Sequence, residues 1–144
     1  MAEGFARKYG SDVMEPFSAG FAPAPIVQPL TKKVMEAKNI NIDNQYAKSL
    51  DAVRMSSFDL IINMSGSKLP SRLPIEVREW KIEDPISKGE DVYESVRDQI
   101  EMCVMQLILE LRRNSRHAKS VPRRKVEPGP GALAAPNEKR GSER

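Results

Sequence analysis

The sequence predicts an α/β protein built on a parallel sheet, and three observations carry that expectation. Helical and short apolar stretches alternate as α, β, α, (β), α, β, β, α up to about Arg113, the order of parallel strands layered by helices. Phe58–Met64 holds Leu60, Ile61 and Ile62 in succession, as a strand covered on both faces does. The pattern also opens directly on a helix, so the first strand of such a sheet is expected to lie outside these 144 residues.

Each element has its own reason. From Met1 to Tyr9, Ala2, Phe5, Ala6 and Tyr9 fall on one helical face and Gly10 marks the stop. The start of that helix, with unpaired N–H groups and a positive dipole end, is a natural place to hold an anion. Met14–Ser18 reads as a short strand turning at Ser18-Ala19-Gly20, and Phe21–Val27 as a Pro/Ala-rich loop. Pro29 suits the first position of a helix whose apolar stripe is Leu30, Val34 and Met35, reaching about Lys38. Ile40 and Ile42 alternate with polar residues in a short extended stretch. Ser49 is placed to cap a brief helix carrying Leu50 and Val53. After the Phe58–Met64 strand, Ser65-Gly66 ends it and Lys68–Pro74 is loop. Val77–Ile82, with Trp80, reads as the next strand and Asp84-Pro85 breaks it. Asp91 to about Arg113 is the strongest helix: Tyr93, Val96, Ile100, Cys103, Val104, Leu107, Ile108 and Leu111 keep the 3/4 spacing, with acids at its start and Arg112-Arg113 at its end.

Composition narrows the class. An apolar share of 40% and a charged share of 30% describe a globular body with a polar extension. Residues 1–117 form the expected domain, and 118–144, rich in Pro, Gly, Lys and Arg, a disordered basic tail. The tail alone carries a surplus of four positive charges, so the net +3 leaves the body near −1. The body therefore lacks a field for nucleic acid, and Arg123-Arg124-Lys125 has no interleaved aromatics for stacking bases. No apolar run approaches the roughly 18–20 residues of a membrane span, and the N-terminus is not a signal peptide. A single cysteine excludes a disulfide framework and a thiol-rich zinc site, which fits a reducing, cytoplasmic setting. Met35, Met55, Met64, Met102 and Met105 occupy scattered apolar positions and read as packing. No cofactor or metal is implied.

Met1-Ala2-Glu3-Gly4-Phe5-Ala6, Ser18-Ala19-Gly20, Lys48-Ser49-Leu50, Phe58-Asp59-Leu60-Ile61-Ile62, Trp80 followed by Asp84-Pro85, and Val96-Arg97-Asp98-Gln99-Ile100-Glu101 together resemble the low-molecular-weight protein-tyrosine phosphatases. That family includes the thioredoxin-coupled arsenate reductases. The resemblance covers roughly four-fifths of the chain and implies a doubly wound parallel sheet of four strands. It implies that a hydrophobic strand and C-x5-R-S belong ahead of the equivalent of Met1. There a thiolate, kept ionised by loop N–H groups, the helix N-terminus and the arginine, attacks phosphorus while the arginine grips the equatorial oxygens. No C-x5-R occurs in these residues: Cys103 is followed at the sixth position by Leu109 and reads as a core residue.

By the same resemblance Asp84 is the general acid that protonates the leaving oxygen and then activates water, while Asp-Pro by itself is ordinary turn chemistry. Ser65 stands where the reductases carry a resolving cysteine, and no second thiol follows before Pro74. As a nucleophile Ser65 has no base, since His117, the single histidine, lies at the tail junction and reads as solvated. Lys48-Ser49 offers either an anion site or a helix cap, the cap being favoured.

The resemblance places the absent strand inside the sheet, between Glu15–Ser18 and Phe58–Met64. Losing it would leave two edges with unpaired groups at about 1–3 kcal/mol each, against a total stability of about 5–15 kcal/mol. Residues 1–144 alone are thus expected to be poorly folded, aggregation-prone or dependent on another chain. Three readings stand, of which the first is preferred. The chain is a phosphatase whose start is placed too late, acting on a phosphorylated protein or small phosphoester; a non-catalytic remnant that binds a partner; or an arsenate reductase with an altered thiol relay.

Overall fold

A computed structural model describes residues 1–70 and 72–120. Among the described residues two α-helices, two short 3-10 turns, a two-stranded parallel sheet and a long third helix follow one another, an α/β arrangement in which the two earlier strands of the expected order are missing. Helix α1 spans Ala2–Gly10 and α2 spans Pro29–Glu36, with Pro29 as its first residue. Asn39, at φ 56°, closes α2: the Ile40 N–H donates back to the Met35 carbonyl at 3.1 Å, a left-handed helix stop. Ile40 and Ile42 then run extended and are both buried, without forming a strand.

Strand β1 is Leu60–Asn63 and β2 is Glu76–Glu79, paired parallel with Leu60 opposite Glu76 and Asn63 opposite Glu79. Both are shorter than the Phe58–Met64 and Val77–Ile82 strands expected, and β1 is only half-buried until Asn63. The physical reason is that, among the described residues, β1 pairs with β2 alone and its other edge stays open. For the same reason the Met14–Ser18 strand does not form. Pro16 has no N–H to give, and the ladder contact nearest the segment is an isolated parallel bridge just past it, from Gly20 to Ser49.

Helix α3 runs from Glu90 to Ser120, well past the expected end near Arg113. Its apolar stripe stops at Leu111, but no Gly or Pro interrupts the chain before Pro122, and Arg112 anchors the next turn on the Tyr9 carbonyl and Asp12. Residues 118–120 thus belong to a helix, and the rest of the expected disordered tail lies outside the described residues.

The core is where α1 and α2 pack on α3. Phe5, Val34, Met35 and Ile108 are its largest fully buried side chains, each worth about 1.5–3 kcal/mol of apolar burial. Helix α1 ends at Gly10, where the stop was expected, with Ser11 as its C-cap in right-handed rather than left-handed dihedrals. The sheet joins this helical layer through Trp80 and Ile82, packed against the core, and through Arg78, whose Nη1 and Nη2 donate to Glu110 of α3 at 2.8 and 2.7 Å.

Candidate functional site at the carboxyl edge of the sheet

In open parallel sheets ligands sit outside the carboxyl ends of the strands. Here both strands end at one open groove of about 660 Å³, walled by Met64 and Gly66–Lys68 after β1 and by Glu79–Glu83 after β2. Asn63 organises it. This last residue of β1 is 4% exposed. Its Nδ2 donates to the Ser67 carbonyl at 2.7 Å and to Glu79 Oε1 at 2.9 Å. Its Oδ1 accepts from the Ser65 N–H and hydroxyl, and its carbonyl accepts from the Trp80 N–H. The turn that follows needs Gly66, whose φ is 72°, a region glycine enters without strain.

Asp84 lies on the exposed loop just beyond Glu83. Its Oδ1 accepts from the Ile86 N–H at 3.0 Å, so the carboxylate makes the Asp-Pro turn and leaves its other oxygen toward solvent. Ser65 spends its hydroxyl on the neighbouring turn, donating to Asn63 Oδ1 and accepting from the Ser67 N–H at 3.1 Å. His117 is exposed near the end of α3, its Nδ1 2.9 Å from the Arg113 carbonyl. Cys103 is half-buried, a correction to the core position expected: it flanks the stripe of Val96, Ile100 and Val104 that does face the core. No cluster of three potential metal ligands occurs among the described residues, and no helix there is long and apolar enough to cross a membrane.

The start of α1 faces a second polar centre. Ser49 caps the turn at Leu50–Ala52, its Oγ accepting from the Asp51 N–H, as the sequence favoured. Lys48 instead reaches Glu3, a buried carboxylate in the first turn of α1 that also accepts from Arg7 and Ser18. Sequence reasoning missed both Glu3 and Asn63. The available signals were Arg7 four residues after Glu3, and a polar residue closing the Leu60–Ile62 run before Ser-Gly-Ser.

The parallel sheet, the helical layer and the loop carrying Asp-Pro define one class of protein. Residues 1–117 match the low molecular weight phosphotyrosine protein phosphatase family, and the chain belongs to it. It is 35% identical over 104 residues to an arsenate reductase of Bacillus cereus, covering 69% of this chain and 77% of that one. It is 29% identical over 115 residues to the glutaredoxin arsenate reductase of Synechocystis sp., covering 77% and 87%. Its fold is similar to that of an arsenate reductase in the phosphate binding state, with a TM-score of 0.70 at 27% identity over 76% of this chain and 86% of the other.

Proposed function

We propose that this chain is an arsenate-reductase-type member of the family, taking a tetrahedral oxyanion at the carboxyl edge of the sheet in the cytoplasm. The observation that carries the reading is the similarity to arsenate reductases in both sequence and structure. In it Asp84 is the proton donor. Reducing As(V) to As(III) takes two electrons, which two thiols supply on forming one disulfide. Ser65 removes one internal candidate, and Cys103 is half-buried on α3. The relay therefore draws on an external thiol.

The test reads the in-frame codons upstream and assays both 1–144 and the extended chain. Arsenate turnover by the extended chain that requires glutathione or a dithiol protein, with none by 1–144, is expected. Hydrolysis of p-nitrophenyl phosphate without arsenate reduction would instead establish the phosphatase reading, which the family description favours. A stop codon directly upstream would leave the partner-binding remnant.

A further inference from the structure

Three segments distant in sequence meet at one buried carboxylate. Glu3 of α1 is 7% exposed. Its Oε2 accepts from the Ser18 hydroxyl, its Oε1 accepts from Arg7 Nε at 2.9 Å, and Lys48 Nζ stands 3.7 Å from Oε2. Arg7 also donates to the Pro16 carbonyl at 3.0 Å. Lys48 donates to the Tyr46 carbonyl at 3.1 Å and lies 4.4 Å from the centre of the Tyr46 ring. The two loops are joined to each other by a minimal ladder: the Gly20 N–H donates to the Lys48 carbonyl at 2.8 Å, and the Leu50 N–H to the Gly20 carbonyl at 3.0 Å. The charged groups facing Glu3 are thus Arg7 on its own helix, Lys48 from the second loop, and the Met1 α-amino group, which feels its field.

A two-bond ladder is too short to hold two loops by itself, because ordering each loop residue costs about 1–2 kcal/mol of backbone entropy. The added fastening is electrostatic. A buried carboxylate persists only when fully paired, so its partners are held as firmly as it is. We propose that Glu3 is a latch whose negative charge fastens the Pro16–Gly20 and Tyr46–Leu50 segments to the start of α1, and whose loss frees both. The inference goes beyond the oxyanion reading and does not depend on it.

The sign follows from the surroundings. Burial pushes the Glu3 carboxyl up, but the hydrogen bonds from Ser18 and Arg7 and the charges of Lys48 and Arg7 outweigh it and hold the group below the ordinary 4.5. A carboxyl lowered in the folded state stabilises above its ordinary range and stops doing so as pH falls through the lowered value. The latch is closed at neutral pH and opens in acid.

Amide hydrogen exchange on the full 144-residue chain tests this, with Gly20 and Leu50 as reporters and the α3 amides of Ile100 and Val104 as references. In the wild type, exchange at the reporters, corrected for intrinsic rate, is expected to rise on acidification below pH 4.5 before the references respond. Glu3→Gln should raise reporter exchange at pH 7 about tenfold or more, the scale of a charged hydrogen bond, and remove the acid step. Lys48→Met leaves α1 intact and should move the acid step to higher pH, which keeps the test decisive if Glu3→Gln folds poorly. Unchanged reporter profiles in Glu3→Gln, an unmoved acid step in Lys48→Met, or reporters that always exchange together with Ile100 and Val104 would each overturn the latch.

Discussion

Gly10 and Ile108 touch across the packing of α1 on α3: a Cβ at Gly10 would lie 3.0 Å from Ile108 Cγ1 and 3.1 Å from its Cδ1. Alanine favours a helix over glycine by about 1 kcal/mol, so Gly10→Ala would stabilise if the site were open. It is not, because Ile108 is 0% exposed and β-branched, with little freedom to turn aside. Gly10→Ala is therefore expected to lower stability by about 1–3 kcal/mol, the cost of overpacking. Ile108→Val, which removes the Cδ1 methyl, should recover part of that loss in the double variant. Urea unfolding of the four proteins in a mutant cycle measures it, and additive effects would contradict the contact.

That glycine shows where the sequence was legible and where it was not. Periodicity located all three helices, since Phe5, Val34, Met35, Ile100 and Ile108 sit on the faces their spacing assigned. Gly10 was legible as the end of α1 but not as a close contact of Ile108, because local pattern cannot register a partner 98 positions away. The strands were read too long for a related reason: a run such as Phe58–Met64 records β preference, whereas its extent depends on neighbours that pair. Asp84-Pro85 was legible as a turn, and its hydrogen bond to Ile86 agrees. The Glu3 cluster was not, because Ser18 and Lys48 reach it only through tertiary folding.

Asn63 is the buried polar residue on which both loops of the groove depend. Asn63→Leu keeps the branched outline of the side chain, with somewhat greater bulk, but strands the Ser67 carbonyl and the Ser65 N–H. It should cost about 1–3 kcal/mol, the penalty for unpaired buried groups. Exchange at Ser65 and Ser67 should rise more than exchange at Val104, since the damage is local. Uniform acceleration would mean that the groove unfolds only with the whole domain.

Four other carboxyls are held below their ordinary values by hydrogen bonds from cations: Asp12 by Arg112, Asp43 by Lys32, Asp98 by Arg97 and Glu110 by Arg78. Each contributes above its unfolded value, 3.8 for Asp and 4.5 for Glu, and stops as pH falls through the lowered one. The melting temperature should therefore be flat above about pH 5 and drop in acid. Because the pairs of Asp12, Asp43 and Glu110 are exposed, whereas Arg97 beside Asp98 is buried, 1 M NaCl, with a Debye length of about 3 Å, should flatten the share of the first three and leave that of Asp98. A melting temperature that rises on acidification would show the sign to be wrong.

Asp84→Asn separates the turn from the chemistry. The amide oxygen of asparagine can still accept from the Ile86 N–H, now 3.0 Å from Asp84 Oδ1, so the loop keeps its shape. Surface changes that preserve such a contact stay within about 0.5 kcal/mol, and the melting temperature of 1–144 should hardly move. Under the proposed function the same substitution removes the proposed proton donor, and turnover by the active enzyme should fall by about 10²–10⁴-fold. Equal arsenate turnover by the variant and the parent would reduce Asp84 to a turn residue, and the proton would have to come from elsewhere.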